Sequence, residues 1–180
     1  MDSVKNNRKN PEFDAYYREL APKLFGVAFR MLQNHSDALD VVQECFLRAF
    51  RSWEKFRSRS KVSTWLYRIT MNLCYDQLRK RNRERRIENA DDSYQIKSGN
   101  FNGEWNLRQE KLINQVKEEM EKLTPKQKTV FILRLYEELP YAEIARITRS
   151  RVGTVKATFF QTVLKLRKGL KEKGVIKNEM

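Results

Sequence analysis

The sequence predicts an all-α protein: two small helical domains joined by a flexible linker, the C-terminal one a helix-turn-helix. Three observations predict it. Glycine and proline are few, 6 and 4 in 180 residues, so a turn-rich sandwich or barrel would lack its punctuation. Apolar residues recur three and four positions apart on both sides of a polar gap. Charged residues make up 33% and hydrophobic ones 40%, apolar enough to fold but too charged for one large core.

The elements follow in order. Residues 1–11 are a polar tail. A helix over residues 13–32 is expected from Phe13, Tyr17, Leu20, Leu24, Val27, Ala28 and Met31. It breaks at residues 34–36, where Ser36 can cap a second helix with Asp37 and Asp40 in its first turn. Ala38, Val42, Cys45, Phe46, Ala49 and Trp53 form the buried stripe of that helix, and Asp40, Gln43, Glu44 and Leu47 lie on another face. Residues 54–63 read as a polar loop around Phe56, ended by a cap at Ser63 or Thr64.

The third helix carries three kinds of surface. Trp65, Leu66, Ile69 and Leu73 share a core arc. Thr64, Arg68, Met71, Asn72, Tyr75 and Arg79 share a second arc about 100° wide. The end is cationic: Arg79, Lys80, Arg81, Arg83, Arg85 and Arg86. Rings and guanidinium groups on one face suit the bases and phosphates of a separated strand, and the tail would extend the phosphate track. Packing of Met71 and Tyr75 on the preceding loop, with a solvated basic helix end, reads the same residues equally simply.

Residues 87–107 have no steady periodicity and are rich in Asn, Ser, Gly and Asp, as a linker is. Leu112, Val116, Met120 and Leu123 then give a fourth helix. Thr124, Pro125 and Gln127 form a strong start signal for a fifth, which the stretch "EELP" stops. A short helix over 141–147, a turn over 148–151 and a long helix over 152–171 have a helix-turn-helix layout. Ala142 and Ala145 allow close packing, Val155 and Leu166 anchor the long helix, and Lys156, Lys165, Arg167 and Lys168 are left exposed. A plain helical hairpin is the alternative.

The net charge is +14, from 37 Lys and Arg against 23 Asp and Glu, which calls for an anionic partner. Aromatic residues interleaved with the charge favour nucleic acid over a membrane surface. No apolar run reaches membrane-span length, and the polar first ten residues lack a signal-peptide core, so a cytoplasmic location is expected. Cys45 and Cys74 read as buried small hydrophobes, and with one histidine, His35, they make no zinc site.

Three stretches, "DALDVVQECFLRAFRSWEKF", "STWLYRITMNLCYDQLRKR" and "LTPKQKTVFILRLYEELPYAEIARI…VGTVK", resemble in order the extracytoplasmic-function (ECF) group of bacterial sigma factors. The resemblance implies a non-enzymatic initiation factor without cofactor or metal, serving as an alternative, stress- or envelope-responsive sigma factor. Its partners would be core RNA polymerase (clamp helices of the largest subunit and the flap region), promoter DNA and an anti-sigma factor, membrane-anchored in some relatives, with no membrane insertion of its own. Residues 12–86 would be the region 2 domain and 108–173 the region 4 domain, followed by a tail at 174–180.

The same resemblance assigns roles. Asp40, Val41, Gln43 and Glu44, with Leu47 beside them, would dock on polymerase. Lys55, Phe56, Arg57 and Ser58 of the loop, with Arg68, Asn72, Tyr75 and Arg79 of the third helix, would meet the minus-ten element. Asp76 is expected to face the core and position the loop. Arg149, Arg151, Thr154, Lys156, Ala157, Phe160, Gln161 and Lys165 would meet the minus-thirty-five element. The chain departs from the pattern at Leu39, where Glu is usual, and in the turn, where Arg149 replaces Gly and Ser150 an apolar residue. In the recognition helix, "VKATFFQTV" places Thr158, Gln161 and Val163 where basic residues are expected.

A self-sufficient helix-turn-helix regulator would explain the third part but neither the docking stretch nor the strand-holding helix. A nucleic-acid enzyme would need clustered carboxylates or a nucleophile with its base, and the acidic residues are scattered.

Overall fold

The computed structural model describes residues 11–56, 60–88 and 107–176, and among these the secondary structure is entirely helical. The first domain comprises α1 (Pro11–Leu32), α2 (His35–Ser52), a 3₁₀ turn (Trp53–Lys55) and α3 (Val62–Glu88). The second comprises α4 (Leu107–Glu121), α5 (Pro125–Leu135), α6 (Tyr141–Thr148) and α7 (Val152–Glu172). Most of the expected linker, residues 89–106, and loop residues 57–59 lie outside the described residues.

The first domain is a three-helix core. α1, α2 and α3 pack on one another through Leu24, Val27, Ala28, Met31, Ala38, Cys45, Ala49, Leu66 and Cys74, all essentially without solvent access. The expected stripes are the ones buried, except that Trp53 is half-buried and Tyr17 of α1 is 50% exposed. Two helix starts differ from expectation. Asn34, not Ser36, caps α2: its side chain accepts from the Asp37 backbone amide at 3.0 Å, just after Gln33 turns the chain at φ 53°. α3 begins at Val62, ahead of the expected caps, so Thr64 lies inside the helix and its hydroxyl serves elsewhere. Trp65, expected in the core, is half-buried and stacks on Phe56 at 4.7 Å between ring centres.

Burial raises both thiols in this core, to about 11 for Cys45 and about 12 for Cys74. Both are free cysteines, and Cys45 lies within hydrogen-bonding reach of the Thr70 hydroxyl at 3.3 Å.

The second domain is built as its capping signals predict. The Thr124 side chain accepts from the Gln127 amide, and Gln127 reaches back to the Thr124 amide. α4 departs from the expected stripe. Leu123 is buried and Met120 half-buried, but Leu112 and Val116 are exposed, because α4 packs mainly on α7. Its buried residue is Glu119, which pairs with Lys122 at 2.6 Å and Lys173 at 3.1 Å. Gly169 of α7 lies directly beneath the Glu119 carboxylate, so a larger residue there would displace the end of that side chain.

The two domains also pack together along a seam: α5 lies on α1 and α6 on α3.

Candidate nucleic-acid interface

Much of the arc of α3 expected to hold a separated strand is covered by the second domain. Met71 is 2% exposed and Thr64 3%. Tyr75 is half-buried with its hydroxyl 2.8 Å from that of Thr129 in α5, and the Thr129 hydroxyl also lies 3.5 Å from the Met71 sulfur. The Thr64 hydroxyl donates to Glu143 of α6 at 2.7 Å, and the Tyr67 hydroxyl donates to Glu137 at 2.6 Å. Arg68 donates to the Arg146 carbonyl at 2.9 Å, while its Nε is buried without a partner among the described residues. Thr64, Arg68, Met71 and Tyr75 are taken by α5 and α6, and Asn72 and Arg79 are left to solvent.

Electrostatics follow the packing. The Thr64 hydrogen bond, with Lys61 and Arg146 nearby, holds the Glu143 carboxyl below its ordinary range despite burial. Burial pushes the Tyr67 phenol far up, and the Glu137 carboxylate adds to the shift. Burial also raises Tyr75.

Beside the seam lies a cavity of about 470 Å³ lined on one side by Arg68, Met71, Asn72, Tyr75 and Arg79 and on the other by Pro125, Lys126, Thr148 and Arg149. Asn72 and Arg79 are the exposed members of the expected minus-ten set on α3. Arg79 is ion-paired with Asp76. Asp76 is exposed, contrary to the expectation that it faces the core: Cys74 and Leu78, on another side of the helix, meet the core, and Asp76 holds Arg79. Arg81 likewise leaves the expected phosphate track. It is paired with Asp37 and donates to the Leu32 carbonyl at 2.7 Å, closing the end of α1 onto the start of α2. In the loop, Lys55 is exposed and Phe56 is stacked on Trp65; Arg57 and Ser58 lie outside the described residues.

On α2, Asp40, Gln43 and Leu47 are exposed, as a docking face requires. Val41 is not part of it: at 2% exposure it belongs to the three-helix core, one residue around the helix from Asp40. Glu44 is half-buried and bound by Arg48 at 2.6 Å. Leu39 and Phe50, absent from the expected set, join Gln43 and Leu47 in an exposed row at helical spacing. Their helical spacing with Gln43 and Leu47 was the signal in the sequence that could have found them.

The turn between α6 and α7 is made by Arg149, at φ 50° and ψ 44°, whose amide donates to the Ala145 carbonyl. This is the left-handed conformation that glycine favours at a helix C-terminus. Arg151, Thr154, Lys156, Ala157, Phe160 and Gln161 are all exposed along the turn and the first half of α7. Ala142 is exposed too, and Ala145 alone provides the small buried contact expected of the pair. Lys165 turns away from the expected DNA face: it donates to the Lys122 carbonyl at 2.5 Å and ties α7 to the α4–α5 junction. Among the described residues no group of three or more His, Cys, Asp or Glu could hold a metal ion, and no helix is long and apolar enough to cross a membrane.

Comparison with known proteins supplies the remaining observations. The family model for sigma-70 region 2 matches residues 16–84, and that for sigma-70 region 4 matches residues 113–166. The ECF RNA polymerase sigma factor SigW of Bacillus subtilis is 33% identical over 157 residues, covering 83% of this chain and 84% of that one. Among solved structures, the sigma factor RpoE in complex with the anti-sigma factor NepR from Bartonella quintana superposes with a TM-score of 0.70 at 24% identity, over 89% of this chain and 97% of that one. CnrH in complex with the cytosolic domain of CnrY gives 0.69 at 18% identity, over 92% and 91%. The two structures share the fold.

Proposed function

The chain belongs to the ECF sigma factors of RNA polymerase, and from that premise we propose that its three working surfaces come into use in a fixed order. As a member of that family it binds core RNA polymerase and directs promoter-specific initiation, a regulatory role and not a catalytic one. An alternative, stress- or envelope-responsive sigma factor fits this family.

The observation that carries the proposal is the seam. Thr64, Arg68, Met71 and Tyr75 of α3 are engaged by α5 and α6, while the α2 face and the α7 face stay open. In the closed protein polymerase can be met first, through Asp40, Gln43 and Leu47 with Leu39 and Phe50. Separation of the domains, residues 12–86 from residues 108–173, then frees the α3 face for the minus-ten strand. Lys55, Phe56, Asn72, Tyr75 and Arg79 serve there, and Arg149, Arg151, Thr154, Lys156, Ala157, Phe160 and Gln161 serve at the minus-thirty-five element. An anti-sigma factor that holds the domains closed fits the same geometry, and the cytoplasm is where these partners meet.

The test is transcription reconstituted with purified core polymerase on a library of promoters. Start-site-specific transcripts should need both components, and the protein alone should not retain the selected promoters. Asp40→Ala combined with Leu47→Ala should weaken pull-down of core polymerase while the fold persists. Unchanged pull-down would show that the α2 face is not the docking face.

A further inference from the structure

The outward face of α7 has an unusual middle. Gly153, Ala157, Phe160 and Leu164 follow one another four, three and four residues apart, so they form one row along the helix. The row lies opposite Val155, Thr162 and Leu166, which bury α7 against the domain. None of its four side chains offers a hydrogen-bond donor or acceptor. Phe160 is 64% exposed and Leu164 49%, and nothing lies within 4 Å of the place a Cβ would take on Gly153. Two adjacent phenylalanines have gone opposite ways. Phe159 turns in, stacked on Phe131 at 6.2 Å and edge-on to Tyr141 at 6.0 Å. Phe160 turns out, and no packing role for it exists among the described residues.

A recognition helix enters the major groove by its N-terminal half. Guanine is most often read there by a bidentate Arg or Lys, yet the first three turns of α7 carry a single cation, Lys156, at the edge of this row. Of the four bases thymine alone places a methyl group in that groove, and apolar side chains are its partners. Resting on the reading of α7 as the minus-thirty-five reader, we propose that the chain recognises this element through the 5-methyl groups of thymines, with Phe160 as the specificity-determining residue and Ala157 giving the groove close approach. Gln161, beside them, has the amide that pairs with adenine in the same groove. The flanking cations Arg151 and Lys156 contact phosphates and position the helix without selecting bases. The choice of duplex DNA over a protein partner for this row follows from that basic edge and from the helix-turn-helix that presents it.

The experiment uses the holoenzyme, full-length chain plus core polymerase, on a promoter selected from a randomised upstream library. Each thymine of the distal element is replaced singly by deoxyuridine, which removes the methyl and keeps every hydrogen-bonding edge. At the contacted positions affinity should fall about fourfold per lost methyl contact. With Phe160→Ala the thymine and deoxyuridine templates should bind alike, and selection should no longer enrich thymine. Lys156→Ala should weaken binding to all templates equally and leave the methyl effect in place. Should Phe160→Ala weaken the distal contact while deoxyuridine has no effect, α7 reads the element without methyls and the inference is overturned while the helix assignment stands. If neither variant alters protection of the distal element, the assignment of α7 itself fails. Loss of core-polymerase binding by Phe160→Ala in the absence of DNA would make the row a protein-docking surface and overturn the proposal.

Discussion

Two helices carry the surfaces assigned to DNA, and they stand in opposite states. On α3 most of the surface is occupied: Met71 and Thr64 are buried, Tyr75 bonds to Thr129, and Arg68 to the Arg146 carbonyl, with Asn72 and Arg79 left exposed. On α7 it is empty: Lys156, Ala157, Phe160 and Gln161 all face solvent. On the proposed assignment, the difference follows from what each surface would read. A groove of intact duplex is always present, and a helix made for it can wait exposed. A separated strand is transient, and a face of rings and methionine made to hold it has unpaired apolar area until melting occurs. Covering that face with the other domain removes about 25 cal/mol of hydration cost per Å² of apolar surface.

The comparison breaks most visibly under truncation. Met71→Ala should destabilise the protein by about 2–5 kcal/mol, as deletions at buried sites do. Phe160→Ala should change stability by no more than about 0.5 kcal/mol. Urea unfolding of the two variants gives both numbers, and equal costs would mean that the α3 face is no more committed than the α7 face.

A smaller effect sharpens the same contrast through pH. Glu143 has an ordinary value of 4.5, lowered in the closed form first by the Thr64 hydrogen bond and then by Lys61 and Arg146. A group depressed in the closed state stabilises it at pH above about 4.5 and loses that contribution as pH falls through the closed-state value. Acidification should therefore loosen the seam before it touches α7. Energy transfer between labels on the two domains, followed from pH 7 downwards, should fall in that acid range, and Glu143→Gln should remove the Glu143-linked step. An unchanged transition in Glu143→Gln would place the acid-sensitive contact elsewhere.

The smallest effect belongs to the turn. Left-handed backbone costs a non-glycine residue about 1–2 kcal/mol. Glycine offsets part of that through its greater loss of chain entropy, about 0.5–1 kcal/mol. Arg149→Gly should thus raise stability by up to about 1 kcal/mol, read as a small increase in melting temperature. A decrease would mean that Arg149 contributes more through its place beside α3 than its backbone costs.

How far the sequence could be read follows the range of the interactions. Local ones were legible: the Thr124 box, the Pro125 start, the stripes of α1 and α2 apart from Tyr17 and Trp53, and the turn after α6. Where two local solutions compete the reading slipped, as with Asn34 and Ser36, neighbouring residues that can each cap a helix. Periodicity separated the two faces of α3 only in part: Leu66 and Leu73 are core, but Thr70 and Cys74 are buried there while Trp65 and Ile69 are half-buried. It could not name the partner of the second face. Tyr75 and Thr129 are 54 residues apart, and nothing in either neighbourhood encodes the other. For the same reason Arg81 looked like its basic neighbours; only the meeting of the α1 and α2 ends withdraws it from them. Val41 and Lys165 failed differently, because each is adjacent in sequence to residues on an exposed face yet rotated away from it.

The sealed thiols of the first domain have a practical consequence. Alkylating reagents attack the thiolate, and burial denies Cys45 and Cys74 both that charge and access. Both residues belong to a core closed by α1, α2 and α3 alone, apart from the seam with α5 and α6. Labelling would thus clock the unfolding of that domain and ignore the parting of the two domains. Under conditions where the halves swing apart without melting, the cysteines should stay as slow to react as in the resting protein, giving an internal chronometer that tells hinge from collapse.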